Sequence, residues 1–276
     1  METTYTVNGQ RILATVEGDS QKPPVFFIHG WMSHRGVWRQ TIPVLEGKYH
    51  CIALDLLGFG NSEKPDDGDY SIQMQGRRII AIADALGFQK FSLVGHSMGG
   101  QIAMCIASML APERVEKLVS VAGVVTGQLS ELVEKNIYPL VRFGHKRPWV
   151  YRLSRALMNN RMYVNWVFRP WFYDIRKMPL REFNIDRSVA LNPACHISIY
   201  QAGQAIHALD VSKYLRKVKA PTLLIYGEDD LTVPIEQAYI AQMALPDNNL
   251  AILKKCGHFP MYEKTGQYLK ALSMAL

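Results

Sequence analysis

The chain has 276 residues, of which 48% are hydrophobic and 20% are charged. This composition excludes a disordered chain, a collagen-like repeat and a small disulfide-stapled protein, and the length suits one large α/β domain or a core domain with an insertion. No apolar run is long enough to span a bilayer, so no transmembrane segment is expected. The first ten residues show no secretory signal, and the four cysteines are widely spaced without a CxxC pair. We therefore expect a cytoplasmic protein without a metal site.

The positive charge is concentrated in one segment. The net charge is +7, from 31 basic and 24 acidic residues. Residues 124–212 hold twelve Lys and Arg against six Asp and Glu, and the remainder is nearly balanced. No nucleic-acid-binding motif accompanies these charges, and basic residues on amphipathic helices usually form a solvated face. No nucleic-acid partner is therefore expected, whereas contact with a membrane surface stays open.

In chain order, a hairpin around Asn8-Gly9 precedes a regular alternation of short apolar strands and helix-period segments. The predicted strands are Val25–His29, His50–Leu54, Phe91–Val94, Lys117–Val121, Thr222–Tyr226 and Leu250–Lys254. The predicted helices lie near Val37–Glu46, Ile72–Leu86, Met98–Leu110, Ile235–Ala244 and Thr265–Ala275. Such alternation predicts an α/β fold with a mostly parallel central sheet flanked by helices.

Residues 124–212 break this alternation. They contain 12 of the 28 aromatic residues and no convincing strand. Five prolines divide the segment into short helices: Pro139, Pro148, Pro170, Pro179 and Pro193. A helical, aromatic insertion between two strands of one sheet indicates a lid. We predict a core domain of residues 1–123 and 213–276 and a helical cap domain of residues 124–212, called the cap segment below.

The most informative motif is Gly95-His96-Ser97-Met98-Gly99, which joins a predicted strand to a predicted helix. A serine on such a sharp turn crowds the residues two positions before and after it, so only small residues fit there. The turn holds the Ser97 hydroxyl clear of the sheet, where it is a candidate nucleophile. His96 lies within the turn and is assigned a packing role.

A serine hydroxyl needs a base to remove its proton and a third group to orient that base. Of eight histidines, His258 is best placed, because it follows the last predicted strand on a loop that can reach the sheet edge. The acid is expected after the strand Thr222–Tyr226, where Asp229 and Asp230 are rivals. Asp55 is a weaker candidate, interpreted as a carboxylate that braces its own loop.

Stabilisation of a tetrahedral oxyanion needs two backbone N–H groups. One is expected from Met98, the residue after the nucleophile. The second is expected from Trp31, because Gly30 before it allows the backbone to approach closely. The Trp31 indole is also a candidate for the pocket wall.

With these motifs in place, the chain resembles the α/β-hydrolase superfamily across essentially its full length. The matching signatures are HGW at 29–31, DLLGFGNS at 55–62, GHSMGG at 95–100, PERVEKLV at 112–119, GEDDLTVP at 227–234 and GHFPMYE at 257–263. The resemblance selects Asp230 through its G-x-x-D-x-x-V-P spacing and implies a catalytic triad in the order Ser97, Asp230, His258. It also implies a lid and no cofactor.

Within the superfamily, Ser97 argues against haloalkane dehalogenases and epoxide hydrolases, which carry Asp at that position. The HGW loop and small helical lid are most similar to carboxylesterases, including the methyl ester esterase group that acts on a carrier-bound pimeloyl chain. That group has tryptophan where this chain has His96. We expect a small-molecule ester with an apolar acyl or aromatic group, and the basic cap segment suggests an acidic carrier protein. A C–C bond hydrolase, a lactonase, a thioesterase and a triad-bearing ligand receptor stay open, since the fold hosts them all.

Overall fold

The computed structural model describes residues 1–157, 160, 162–164, 169–177 and 180–276. The described residues form one eight-stranded sheet in the order β1-β2-β4-β3-β5-β6-β7-β8. The strands are β1 Glu2–Val7, β2 Gln10–Glu17, β3 Pro24–Ile28, β4 His50–Leu54, β5 Phe91–His96, β6 Val115–Val121, β7 Thr222–Gly227 and β8 Asn248–Leu253. Pairing is antiparallel for β1 with β2 and for β2 with β4, and parallel from β4 to β8. The predicted α/β fold is confirmed.

The centre of the sheet is made of strands whose residues are all buried, as in β4, β5 and β7. Such strands are covered by helices on both faces, which is why they read as continuous apolar runs and not as alternating ones. The flanking helices of the core are Ile42–Leu45, Ile72–Ala85, Met98–Cys105, Glu236–Ala244, Pro260–Glu263 and Thr265–Ala275.

Two predicted helices differ from the structure. The segment predicted as one helix over Val37–Glu46 is a 3₁₀ turn, Arg35–Trp38, followed by the short helix Ile42–Leu45. Pro43 explains the break, because proline fits the first turn of a helix but clashes in its interior. The helix after Ser97 keeps α-helical form over Met98–Cys105 and continues as a π-helical turn over Ile106–Leu110.

The described part of the cap segment contains helices and turns, with no strand among its described residues. Its α-helices include Tyr138–His145, Trp149–Ala156, Leu180–Ala190 and His196–Ala208, and 3₁₀ and π-helical turns lie between and before them. Pro148 lies at a helix start, whereas Pro139 does not divide the segment, because a π-helical turn, Val133–Ile137, runs directly into the helix that contains it. The predicted break at Pro179 lies outside the described residues. Within the described ranges, no helix has both the length and the apolar character needed to cross a membrane.

A buried charged cluster joins the cap segment to the core. The carboxylate of Asp186, on the helix Leu180–Ala190, accepts hydrogen bonds from His34 Nε2 at 2.8 Å, Arg39 Nη1 at 3.0 Å and the Tyr262 hydroxyl at 2.6 Å. Burial alone raises the pKa of Asp186, but these hydrogen bonds outweigh burial and hold the pKa well below its usual value. Asp186 is therefore a charged anchor for the cap segment.

Candidate active site

Ser97 lies on a strained turn between β5 and the helix Met98–Cys105. Its φ of 56° is a conformation that serine rarely adopts. A Cβ added to Gly95 would lie 2.2 Å from the Gly99 carbonyl oxygen, and one added to Gly99 would lie 2.1 Å from the Ile28 carbonyl oxygen. Both positions therefore require glycine. The turn holds the Ser97 side chain at the carboxyl end of the central strand, where ligands bind in open α/β sheets.

His258 and Asp230 form a buried pair beside this turn. His258 Nδ1 lies 2.7 Å from Asp230 Oδ2, and both side chains are almost fully buried. The other carboxylate oxygen of Asp230 accepts the backbone N–H groups of Thr232 at 2.7 Å and Val233 at 3.0 Å, which fixes its orientation. The rival Asp229 is bound through its backbone N–H to Cys256 O. A neutral His258 that donates from Nδ1 presents the Nε2 lone pair to a proton donor.

Ser97 and His258 line the same small cavity, of about 30 Å³. No hydrogen bond joins Ser97 Oγ to His258 Nε2 among the described residues. In ligand-free sites, such contacts are often longer than in the reacting complex. A candidate nucleophile and a candidate base therefore face one small cavity.

His96 connects the turn to the loop that carries His258. Its Nε2 donates to the His258 carbonyl oxygen at 2.8 Å, and its ring lies 4.7 Å from the His258 ring. Burial and the neighbouring His258 hold the pKa of His96 well below its usual value, so His96 is neutral. The residue expected to have a packing role thus also fixes the backbone of His258.

His29 fixes the loop that follows β3. Its Nε2 accepts the Leu56 N–H at 3.0 Å, so its Nδ1 carries the proton and donates to Gly30 O at 2.8 Å. Burial lowers the pKa of His29 to about 4. Asp55, the weaker acid candidate, accepts the Arg35 N–H at 2.7 Å and the Asn61 N–H at 2.8 Å, which is a loop-bracing arrangement.

Two backbone N–H groups lie near Ser97. Met98 is the first residue of its helix, so its N–H has no intrahelical acceptor. Trp31 comes directly after Gly30, and a Cβ built on Gly30 would lie only 2.9 Å from Ser97 Cβ, so the backbone here runs close to the serine. Neither N–H takes part in the backbone hydrogen bonds found in the described part of the chain. The Trp31 indole lines the cavity, and its Nε1 donates to Ile199 O of the cap segment at 2.7 Å.

A larger cavity of about 260 Å³ adjoins the small one and lies mainly in the cap segment. Met32, Ile137 and Trp171 line both cavities. The other lining residues are almost all apolar: Leu140, Val141, Val150, Tyr151, Leu153, Ser154, Leu157, Tyr163 and Leu191. The volume lies just below the usual range of ligand pockets, about 300 to 1,000 Å³. The arrangement provides an apolar compartment next to Ser97.

Arg187 is a site residue that no sequence pattern marks. It is one of twelve basic residues in the cap segment and belongs to no motif. In the structure it is buried, lines the small cavity with Ser97 and His258, and its Cζ lies 5.6 Å from the centre of the Trp171 ring. Burial lowers its pKa, but a guanidinium keeps its charge in proteins. The small cavity therefore has a cationic wall.

The cap segment also holds the loop of His258. The His258 N–H donates to Trp171 O at 2.9 Å, and the Glu263 carboxylate accepts the N–H groups of Gly257 at 2.6 Å and Asp174 at 3.0 Å. Burial raises the pKa of Glu263. His207, whose Nδ1 lies 2.8 Å from Gly127 O, does not line either cavity. No cluster of three or more metal-ligating side chains occurs within the described ranges.

The comparisons with known proteins agree with this fold. The alpha/beta hydrolase fold family matches residues 23–265. The chain is 29% identical to the 2-hydroxy-6-oxo-6-(2'-aminophenyl)hexa-2,4-dienoic acid hydrolase of Metapseudomonas resinovorans, over 90% of this chain and 82% of that protein. It is 26% identical to the pimeloyl-[acyl-carrier protein] methyl ester esterase of Nitrosomonas europaea, over 92% and 96%.

Among solved structures, a membrane phospholipase A described as a novel bacterial virulence factor superposes with a TM-score of 0.80. It is 26% identical, and the match covers 99% of this chain and 84% of that one. The chain belongs to the alpha/beta hydrolase fold family, as the sequence motifs predicted. It is a hydrolase of that family, with relatives that include esterases and a dienoic acid hydrolase.

Proposed function

We propose that this protein hydrolyses carboxylic esters through a Ser97–His258–Asp230 triad, with the cap segment acting as a cap domain over the site. The observation that carries the proposal is the shared cavity: Ser97 and His258 line it together, and His258 is paired with Asp230 at 2.7 Å. Activation of a serine requires this combination of nucleophile, base and orienting carboxylate.

In the proposed mechanism, Ser97 Oγ attacks the ester carbonyl carbon while His258 Nε2 takes the hydroxyl proton. Asp230 stabilises the resulting imidazolium, and the N–H groups of Met98 and Trp31 stabilise the tetrahedral oxyanion. His258 then gives the proton to the departing alcohol, which leaves an acyl-enzyme on Ser97. Water, deprotonated by His258, attacks the acyl carbon, and His258 returns the proton to Ser97 Oγ as the bond from Oγ to the acyl carbon breaks and the carboxylic acid is released.

The adjoining apolar cavity supports an apolar acyl group as the part of the substrate bound under the cap. An acyl chain that extends from the carbonyl carbon bound at Ser97 passes Met32 or Trp171 to reach the compartment of about 260 Å³. Burial of its methylene groups there is favourable by about 0.8 kcal/mol each. The similarity to a methyl ester esterase and to a phospholipase A is consistent with esters of this kind.

The test is hydrolysis of p-nitrophenyl esters over a series of acyl lengths from acetate to palmitate. We expect turnover that peaks at one length beyond acetate and is lost in Ser97→Ala. Ser108→Ala is the matched control, because that serine donates to Met104 O within the core and lines neither cavity. Absence of turnover at every length, with Ser97 still labelled by a fluorophosphonate, would contradict the ester proposal.

Arg187 supports a second candidate, hydrolysis of a carbon–carbon bond in a substrate that carries a carboxylate. A buried guanidinium in the cavity wall favours an anionic group close to Ser97. The relative from Metapseudomonas resinovorans acts on a dienoic acid. Loss of the visible absorbance of such a dienoate measures this activity, and Arg187→Gln should raise its KM. Turnover of esters but not of the dienoate would eliminate this candidate.

Two finer expectations remain predictions. The esterase relatives are named for an acyl-carrier protein substrate, which supports an acidic carrier at the basic cap segment. A cytoplasmic location rests on the composition and on four buried cysteine thiols.

A further inference from the structure

The outer face of the helices Tyr138–His145 and Trp149–Ala156 exposes large apolar side chains. Leu140, Phe143, Trp149 and Leu153 each expose between 46% and 53% of their surface. On each helix the two apolar residues are three or four positions apart, so they share one face. Phe143 and Trp149 meet edge to face with ring centres 6.4 Å apart, which joins the two faces into one apolar strip.

The two helices hold this strip in a fixed arrangement. Gly144 packs on Tyr151, and a Cβ at Gly144 would lie 2.9 Å from the Tyr151 ring. Val141 and Tyr151 are buried on the inner side of the pair, so the apolar residues on the outer side cannot turn inward without breaking that packing. The strip therefore lies on the outer side of this helix pair.

The strip is surrounded by cations. Residues 138–157 contain Arg142, Lys146, Arg147, Arg152 and Arg155 and no acidic residue. All five side chains are exposed. Among the residues that the structure describes, none of the five has a carboxylate within ion-pair distance. The guanidinium of Arg147 lies 4.4 Å from the centre of the Phe143 ring, which keeps charge and apolar surface adjacent.

The same surface contains the entrance of the larger cavity. Leu140 and Leu153 belong to the exposed strip and also line that cavity, so the cavity reaches the surface between them. From there the lining continues through Ile137 to the small cavity of Ser97. An apolar chain that enters beside the strip thus has an apolar path toward the serine.

We propose that this outer face docks on an anionic lipid bilayer. The apolar strip would lie at the boundary between headgroups and acyl chains, and the five cations would contact lipid phosphates. Exposed aromatic and leucine side chains flanked by Lys and Arg are the pattern of interfacial helices. An acidic protein would match the cations but leaves the apolar strip unexplained. The docking itself does not depend on ester hydrolysis, whereas the path for a lipid acyl chain rests on the function proposed above.

The test is co-sedimentation of the full chain with vesicles of phosphatidylcholine alone or of equal parts phosphatidylcholine and phosphatidylglycerol. We expect binding to the anionic vesicles that weakens in high salt. Arg142→Glu with Arg147→Glu should reduce partitioning at least about 30-fold, since each basic residue near such a surface contributes about fivefold. Phe143→Ser with Trp149→Ser should reduce it about 10-fold.

Matched controls make the same changes on exposed residues of the core. Lys48→Glu with Lys90→Glu repeats the charge change, and Ile240→Ser with Met243→Ser repeats the apolar change. Neither control should alter sedimentation. Absence of binding to anionic vesicles, or equal binding by test and control variants, would overturn the inference.

Binding to holo-acyl carrier protein, lost on charge reversal but kept without Phe143 and Trp149, would overturn it in favour of an acidic protein partner. Turnover of p-nitrophenyl acetate separates this inference from the proposed function. All four double variants should hydrolyse it like the wild type, and Ser97→Ala should bind vesicles without hydrolysis. Turnover by Ser97→Ala would contradict the proposed function and leave the docking result intact.

Discussion

The core and the cap segment differ in how completely their elements are buried. In the core, parallel strands such as β4 and β5 are buried along their whole length, and the sheet hydrogen bonds satisfy their backbone. In the cap segment, the helix Trp149–Ala156 buries only Tyr151. Attachment to the core combines the buried apolar face of the helix His196–Ala208 with polar contacts of single side chains, among them Asp186 and the bond from Ser198 Oγ to Gly58 O at 2.6 Å.

The chemistry of the site and its choice of substrate are expected to depend on different regions. Ser97 and Asp230 follow buried strands of the core, and His258 follows β8, so packing fixes the positions of all three. Most residues of the larger cavity belong to the cap segment. We expect changes in the core to alter chemistry or folding, and changes in the cap segment to alter which substrate is accepted.

The largest effect is expected from Asp230→Asn, which tests whether the core carries the chemistry. An amide at this position holds His258 in the wrong tautomer, so kcat should fall about 10⁴-fold with little change in KM. Steady-state hydrolysis of the best p-nitrophenyl ester measures both constants. Asp229→Asn is the control and should stay near wild type, since the His258 ring is paired with the carboxylate of Asp230 and not with that of Asp229. An equal loss in both variants would contradict the assignment.

The next effect concerns the anchor of the cap segment. Asp186→Asn leaves His34 and Arg39 facing a neutral group in a buried site and should cost about 3 kcal/mol of unfolding free energy, measured in urea. Because the pKa of Asp186 is lowered in the folded state, its contribution is present above about pH 4 and lost as the pH falls further. The variant should therefore lose less stability than wild type on acidification. Asp247→Asn, at an exposed aspartate of the core, should behave as wild type.

A smaller effect tests the core at mildly acidic pH. The pKa of His29 is lowered to about 4 by burial, so below about pH 6.5 the unfolded chain binds a proton that the folded chain does not. Stability should therefore fall as the pH drops from about 7 to 5, by roughly 1 kcal/mol per pH unit for this group. In His29→Asn, the slope of the free energy of unfolding against pH, measured by urea unfolding, should be smaller by the equivalent of one proton. An unchanged slope would show that His29 is charged in the folded protein.

The two regions also differ in how far the sequence predicted them. Every predicted strand is present within two residues of its bounds, and the buried strands β4, β5 and β7 leave continuous apolar runs in the sequence. Sequence spacing placed Ser97 and His258 at strand ends, while the choice of Asp230 over Asp229 needed the resemblance to a family. Arg187 was not predicted, because its place in the cavity depends on how the helix Leu180–Ala190 packs and not on a motif. The anchor at Asp186 was missed for the same reason.

The central claim is that the core performs ester hydrolysis and the cap segment selects the acyl group. The most direct test compares kcat/KM over the acyl series in wild type and Leu157→Trp, which fills the larger cavity. Ile240→Trp, on an exposed face of the core, is the control. We expect Leu157→Trp to lose at least about 10-fold on the longest ester that wild type hydrolyses well, with acetate unchanged. An unchanged length profile in the folded variant would contradict the claim.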